Sequence, residues 1–221
     1  MKKKISSDSF SDSNSVGSWH TENQDSFIAE NPIFAVADGV GGYAGAKEAS
    51  SLAINSLKED SARIVDEESM KDVLHQIHEL VQQAAHKKRI LNMGTTIAAA
   101  KVISDEQIIL GNVGDSPILF FNSKESRCIS YDDSHRHEDS AAVYGITQYL
   151  GLDMEIEVHA SAIGYKSGDH LLICSDGITD NLNLSTLENL IRKQFNAERI
   201  VREAIGARIK PDDMTAVLVS F

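Results

Sequence analysis

The chain is expected to fold as an α+β protein, with antiparallel sheets packed against helices. Three observations predict this. Short β-like runs follow one another at spacings too tight for crossover helices, which favours antiparallel pairing. Long amphipathic helical patterns fall in two blocks, one before the central strand-rich stretch and one near the end. Three apolar runs stop abruptly at an aspartate with glycine beside it, and a fourth aspartate stands where the last run begins. A buried strand that ends in this way holds a carboxylate on a rigid element, and glycine lets a ligand approach the backbone closely.

The elements follow in order. Residues 5–18, rich in Ser and Asp, read as a frayed tail or an edge strand. A polar loop through Asn23-Gln24-Asp25 enters a short strand at Phe27-Ile28-Ala29. Asn31-Pro32 makes a turn into the apolar run Ile33–Ala37, and a hairpin between these strands would set Asp25 near Asp38. Residues 44–62 read as a helix with Ala46, Ala49, Leu52, Ala53 and Leu57 on one face. Residues 69–91 read as a second helix whose stripe is Val73, Ile77, Leu80, Val81 and Ala84. His75, His78 and Glu79 on this helix read as a solvated face, because a metal site needs more ligands than this spacing supplies.

Four strands are expected at 96–102, 107–113, 118–121 and 127–130. Residues 131–147 are polar and irregular. Their Asp132, Asp133, His135, His137, Glu138 and Asp139 fit no ligand template and read as a solvated acidic loop. Alternation predicts a strand at 155–161, and a continuous apolar run predicts another at 169–174. Helices at 184–195 and 197–209 follow, the first with Ser185 as N-cap and Glu188 three residues on. The last strand is expected at 216–219, preceded by Pro211-Asp212-Asp213.

Composition limits the function. The chain has 221 residues, 42% of them hydrophobic, enough for one large domain or two small ones. A chain of this length buries roughly 70% of its unfolded surface without staples. Formal net charge is −12, from 21 basic and 33 acidic residues. That argues against nucleic-acid or anionic-membrane partners and leaves acidic clusters in need of cations. Cys128 and Cys174 form neither a metal spacing nor a disulfide framework, and Cys174 reads as a buried thiol in a reducing compartment. Lys2-Lys3-Lys4 leads into polar sequence, not an apolar signal region, and no apolar run approaches ~18 residues. A cytoplasmic protein is expected.

Asp38, Asp115, Asp176 and Asp212 therefore stand out as strand-end carboxylates, with the Gly39 carbonyl beside the first. Converging on one sheet end, they would repel each other unless cations sat between them. An all-oxygen donor set selects Mg²⁺ or Mn²⁺ over zinc. Two such ions about 3.5–4 Å apart generate a hydroxide nucleophile and clamp a phosphoryl group.

With these residues in view, the chain resembles the PPM-type metal-dependent protein Ser/Thr phosphatases (the protein phosphatase 2C family), of the compact microbial kind. The resemblance rests on residues 17–25, Phe34 to Gly42, Gly94-Thr95-Thr96, Asn112 to Ser116, Leu172 to Asp180 and Asp212 to Val219, in the family's order. It implies a single domain over 1–221, with 1–16 frayed or an edge strand, built as a four-layer αββα sandwich. It implies Asp38 bridging two Mn²⁺ or Mg²⁺ ions, the Gly39 carbonyl on one, Asp176 and Asp212 as further ligands, and Asp115 with Asp176 on a third. Asp25 would orient the metal-bound water, which attacks phosphorus in line. The implied partner is a phosphorylated protein substrate of a Ser/Thr kinase, and the enzyme is expected to act as a monomer.

Departures accompany the resemblance. His20 stands where the family has an arginine that grips the substrate phosphate, and an imidazole does not copy the guanidinium fork. His20 is the expected phosphate-binding residue, with Arg136 or His137 as substitutes. Val40 replaces the histidine of animal members, Asp213 the usual asparagine, and Pro117 a common arginine. The family's Thr-x-Asp-His-Ser segment is here Ser130-Tyr131-Asp132-Asp133-Ser134, and the flap before Leu150-Gly151 is short. Two other readings follow from these departures: a weakly active or non-catalytic phosphatase-like binding or regulatory module, and a hydrolase of small phosphoesters.

Overall fold

The computed structural model describes residues 5–13, 22–40, 45–136 and 143–221. Strands β1 (Ser6–Ser13), β2 (Ser26–Glu30) and β3 (Ile33–Ala37) precede helices α1 (Ala46–Asp60) and α2 (Glu67–Lys88). Then come β4 (Ile97–Ser104), β5 (Gln107–Val113), β6 (Ile118–Phe121), β7 (Ser126–Cys128), β8 (Ser134–Arg136), β9 (Val143–Ile146), β10 (His159–Gly164) and β11 (His170–Cys174). The chain closes with α3 (Asp176–Thr179), α4 (Leu184–Arg192), α5 (Ala197–Ala207) and β12 (Asp213–Ser220). One sheet has the order β1-β12-β11-β6-β7 and the other β10-β5-β4-β3-β2, and every neighbouring pair is antiparallel.

Strand periodicity explains the layering. On β3, Ala35 and Ala37 pack with Ala49, Ala53 and Leu57 of α1 and with Val73 and Ile77 of α2. Phe34 and Val36, on the opposite face, pack between the sheets with Val217 and Val219. β11 does the same: Leu172 and Cys174 face α4 and α5, while Leu171 and Ile173 face the other sheet. Both faces are covered, so these strands read as unbroken apolar runs. The small Ala35 and Ala37 let the helices lie close. The result is the expected αββα sandwich.

Several boundaries differ from the sequence reading. Of the two readings of the Ser-rich start, residues 6–13 take the edge strand, while 14–18 lie outside the described residues: β1 pairs with β12 along its length, and the Asp8 carboxylate accepts the Ala197 amide at 2.7 Å. α2 starts two residues early because Asp66 and Ser69 cap it reciprocally. The strand expected at 155–161 is instead β10, since β5 offers partners only from Asn112, opposite His159, to Gln107, opposite Gly164. Ile156 and Val158 are still buried in the helix-side core. Asn183, not Ser185, caps α4: its Oδ1 accepts the Thr186 amide at 2.9 Å, and the Ser185 hydroxyl donates to the same oxygen. On α2, Leu80 is exposed and His78 takes the buried place, its Nδ1 accepting the Gly151 amide at 3.1 Å. His78 thus packs against the chain near Leu150 and is not part of a solvated face.

Candidate active site

The end of β3 is where the site begins. The Asp38 amide donates to Thr96 Oγ1 at 3.0 Å, and its carbonyl accepts from Thr96 N at 2.8 Å and from Thr95 Oγ1 at 2.7 Å. The Val40 amide continues the zipper to the Gly94 carbonyl at 3.0 Å, and Thr95 pairs on its far side with Leu150. This is what Gly94-Thr95-Thr96 does: it fixes the backbone that carries Asp38. Gly39 has to be glycine, because a Cβ there would meet the Ala46 backbone carbonyl at 2.8 Å.

Antiparallel register brings in the second carboxylate. Ser26 lies opposite Ala37, so Asp25 falls beside Asp38, as the hairpin reading expected. Asp25 is buried. Its Oδ2 accepts from Ser175 Oγ at 2.8 Å, its Oδ1 has no hydrogen-bond partner among the described residues, and Lys47 Nζ holds its main-chain carbonyl. From the other sheet, Asp176 opens α3, and Asp212 stands just before β12. A Cβ on Gly177 would lie 2.2 Å from the Asp213 carbonyl, which is how closely these two segments meet. Asp115 follows Gly114, whose φ of 106° turns the chain at the end of β5.

These carboxylates lie close enough to act on one another's charge. Burial holds the Asp38 carboxyl well above the usual carboxylate range, and the charges of Asp25, Asp176, Asp212 and Asp115 each push it further. Burial raises Asp25 to about 7, offset in part by the Thr215 and Ser175 hydroxyls. Asp115 also reaches about 7, through burial and then the Asp176 charge. Asp212 is raised by burial and by Asp176. So much desolvated anionic charge is a standing cost that cations would relieve.

One cation is already present. Lys210 Nζ lies 2.6 Å from Asp180 Oδ2, 3.2 Å from Asp176 Oδ2 and 3.4 Å from Asp212 Oδ2. Burial pulls its ammonium down, but the three carboxylates more than reverse this and raise it. Among the described residues, no three His, Cys, Asp or Glu side chains are already closed up as a metal cage. The donor set nonetheless fits a hard divalent cation: carboxylates of Asp38, Asp115, Asp176 and Asp212 with the Gly39 carbonyl, all oxygen.

Sequence reasoning missed the scaffold behind these groups. Asp133, expected in solvent, is buried, accepting from Gly114 N at 2.8 Å and Gln148 Nε2 at 3.0 Å, with His159 Nε2 at 3.2 Å. It thereby sets the turn that presents Asp115. Asp213 is also buried and accepts the Gln24 amide at 2.7 Å. Asn181, buried, grips the Ile209 and Lys210 amides and the Lys210 carbonyl. Of the expected phosphate-binding residues, His20 and His137 lie outside the described residues. A cavity of about 320 Å³ lined by Phe121, His170, Glu188 and Arg192 opens at the opposite strand ends and includes none of the site's aspartates.

A four-layer antiparallel sandwich whose joined strand ends carry an anionic cleft is the class of protein that the sequence resemblance implied. The family model for protein phosphatase 2C matches residues 18–213, and the chain belongs to that family. It is similar to the serine/threonine phosphatase stp of Listeria innocua, at 28% identity over 78% of this chain and 75% of that one. It is also similar to the protein phosphatase PhpP of Streptococcus pneumoniae, at 28% identity over 93% and 94%. Among solved structures, the catalytic domain of the phosphatase PstP in complex with two manganese ions shares the fold, with a TM-score of 0.85 at 24% identity over 98% and 97% of the two chains.

Proposed function

We propose that this protein is a Mn²⁺- or Mg²⁺-dependent protein phosphatase that hydrolyses phosphoserine and phosphothreonine. The carrying observation is the gathering of Asp25, Asp38, Asp115, Asp176 and Asp212 at one end of the two sheets, where the charges of the other four bear on Asp38 and that of Asp176 on Asp115 and Asp212. The names of the curated relatives support the substrate class, and the manganese-bound relative supports the choice of ion. Residues 1–221 act as one domain in this reading, in the cytoplasm and as a monomer. No helix of the described residues is long and apolar enough to cross a membrane.

In this reading Asp38, the Gly39 carbonyl, Asp176 and Asp212 hold two ions, and Asp115 with Asp176 holds a third. Bound there, the ions supply Lewis acidity and an activated water for in-line hydrolysis at phosphorus. The chain's own work is positioning. The Thr95–Thr96 zipper keeps Asp38 from swinging away. Ser175 orients the Asp25 carboxyl, whose Oδ1, without a partner among the described residues, would be available to hold the water's proton. His20 contributes to phosphate binding.

The test is phosphate release from a phosphothreonine peptide with Mn²⁺, with chelator, and in parallel with p-nitrophenyl phosphate. Metal-dependent turnover of the peptide is the expected result. Turnover of the small ester alone would replace the reading with a small-phosphoester hydrolase, and metal binding without turnover would replace it with a binding module.

A further inference from the structure

We propose that Lys210 is a phosphate-binding residue, the ammonium that holds the substrate's phosphate against the metal-binding carboxylates. The proposal rests on the phosphoester-hydrolase reading above. A phosphomonoester is an anion, and a cleft built from five carboxylates repels it. Lys210 Nζ is within 3.4 Å of two of the carboxylates assigned to the ions, Asp176 and Asp212.

Two features fix it there. Asn181, a buried side chain on the segment after α3, accepts the Lys210 amide at 3.0 Å and donates to its carbonyl at 2.8 Å. The shortest ammonium contact, 2.6 Å, is to Asp180, which lies outside the assigned ligand set. When divalent ions claim Asp176 and Asp212, Lys210 keeps a carboxylate of its own and stays at the rim. Its side chain is 47% exposed and can be reached from solvent. An ammonium has three donors, so one can stay on Asp180 while another meets a phosphate oxygen. Lys47, also near Asp25, is committed to the Asp25 carbonyl and Ser26 Oγ.

The experiment compares wild type, Lys210→Met and Lys210→Arg, each loaded with Mn²⁺. It reads KM for p-nitrophenyl phosphate, inhibition by inorganic phosphate, and direct binding of phosphate and of Mn²⁺ by calorimetry. Lys210→Met should weaken phosphate binding and raise KM by about tenfold, the scale of one charge-assisted hydrogen bond. Mn²⁺ should bind at least as tightly, because a competing cation is gone. Lys210→Arg should recover most of the phosphate affinity. Unchanged phosphate affinity in Lys210→Met would overturn the proposal, and so would a parallel loss of Mn²⁺ affinity, which would make Lys210 a scaffold for the ligands. Phosphate binding by wild type without turnover, weakened in Lys210→Met, would sink the phosphatase reading while still assigning phosphate binding to Lys210. Wild-type turnover with unaltered phosphate affinity in Lys210→Met would do the reverse.

Discussion

The two halves of the cleft solve one electrostatic problem differently. On the β3 side, Asp25 is buried and Asp38, partly exposed, is fixed by backbone zippers, with the protonation of both pushed up to meet the charge. On the β11–β12 side, Asp176 and Asp212 are partly exposed and share an ammonium. The first half relies on protons or divalent ions at its carboxylates, its Lys47 being bound to the Asp25 main-chain carbonyl, whereas in the second an ammonium of the chain pairs with the carboxylates themselves. The β3 half should therefore dominate metal dependence, and the β12 half should tune phosphate affinity.

The largest effect should come from breaking the first half. Asp38→Asn removes the carboxylate at the centre of the set, and Mn²⁺-dependent turnover should fall by roughly 10³-fold, the upper scale for loss of a key charge-stabilising group. Steady-state kinetics with a phosphothreonine peptide measures this, and a loss under tenfold would place the metals elsewhere. Next come the glycines at which each half closes. Gly39→Ala and Gly177→Ala drive a Cβ into backbone carbonyls at 2.8 and 2.2 Å, so each should destabilise by about 1–3 kcal/mol or more in denaturant melts, Gly177→Ala more severely. Equal stability to wild type would mean that these segments are less tightly docked.

A pH series sharpens the comparison further. Asp115 has its folded pKa raised to about 7, so in the metal-free protein the folded state binds more protons than the unfolded chain between about 4 and 7. Its contribution to stability therefore falls as pH rises through that window. Asp115→Asn removes the group, so its gain over wild type should grow from pH 4 to 7, reaching at least about 1 kcal/mol, or about 2–4 °C in Tm. A gain that is flat with pH would contradict the raised pKa. The smallest effect expected is from His20→Arg, which should lower KM several-fold by restoring a guanidinium fork. An unchanged KM would mean that position 20 does not hold phosphate.

Why some of this was legible in sequence and some not follows from particular residues. Asp38, Asp115 and Asp176 were readable because each ends an apolar run beside a glycine, a local pattern. The Asp25–Asp38 pairing was readable because a hairpin turn as short as Asn31-Pro32 leaves little choice of register. Asp133, Asn181 and Lys210 were not readable, because what defines them is distant in the chain: Asp133 meets Gly114 and His159, and Asn181 meets Ile209 and Lys210. A polar residue's burial depends on its partners, and neither periodicity nor composition encodes those. His78 misled for the same reason: its helical position looked like solvent until Gly151 supplied a donor.

The most direct measurement is a calorimetric titration of the metal-free protein with Mn²⁺ near pH 7, run in two buffers of different ionisation enthalpy, with Asp38→Asn alongside. Asp38 and Asp115, assigned ligands whose protonation is pushed up, must give up protons to bind metal, so the account predicts at least two ions bound with net proton release. It also predicts that both the binding and the proton release collapse in Asp38→Asn. A folded wild type that takes up no Mn²⁺, or that binds it without releasing protons and equally well in Asp38→Asn, would contradict a metal centre built on these carboxylates.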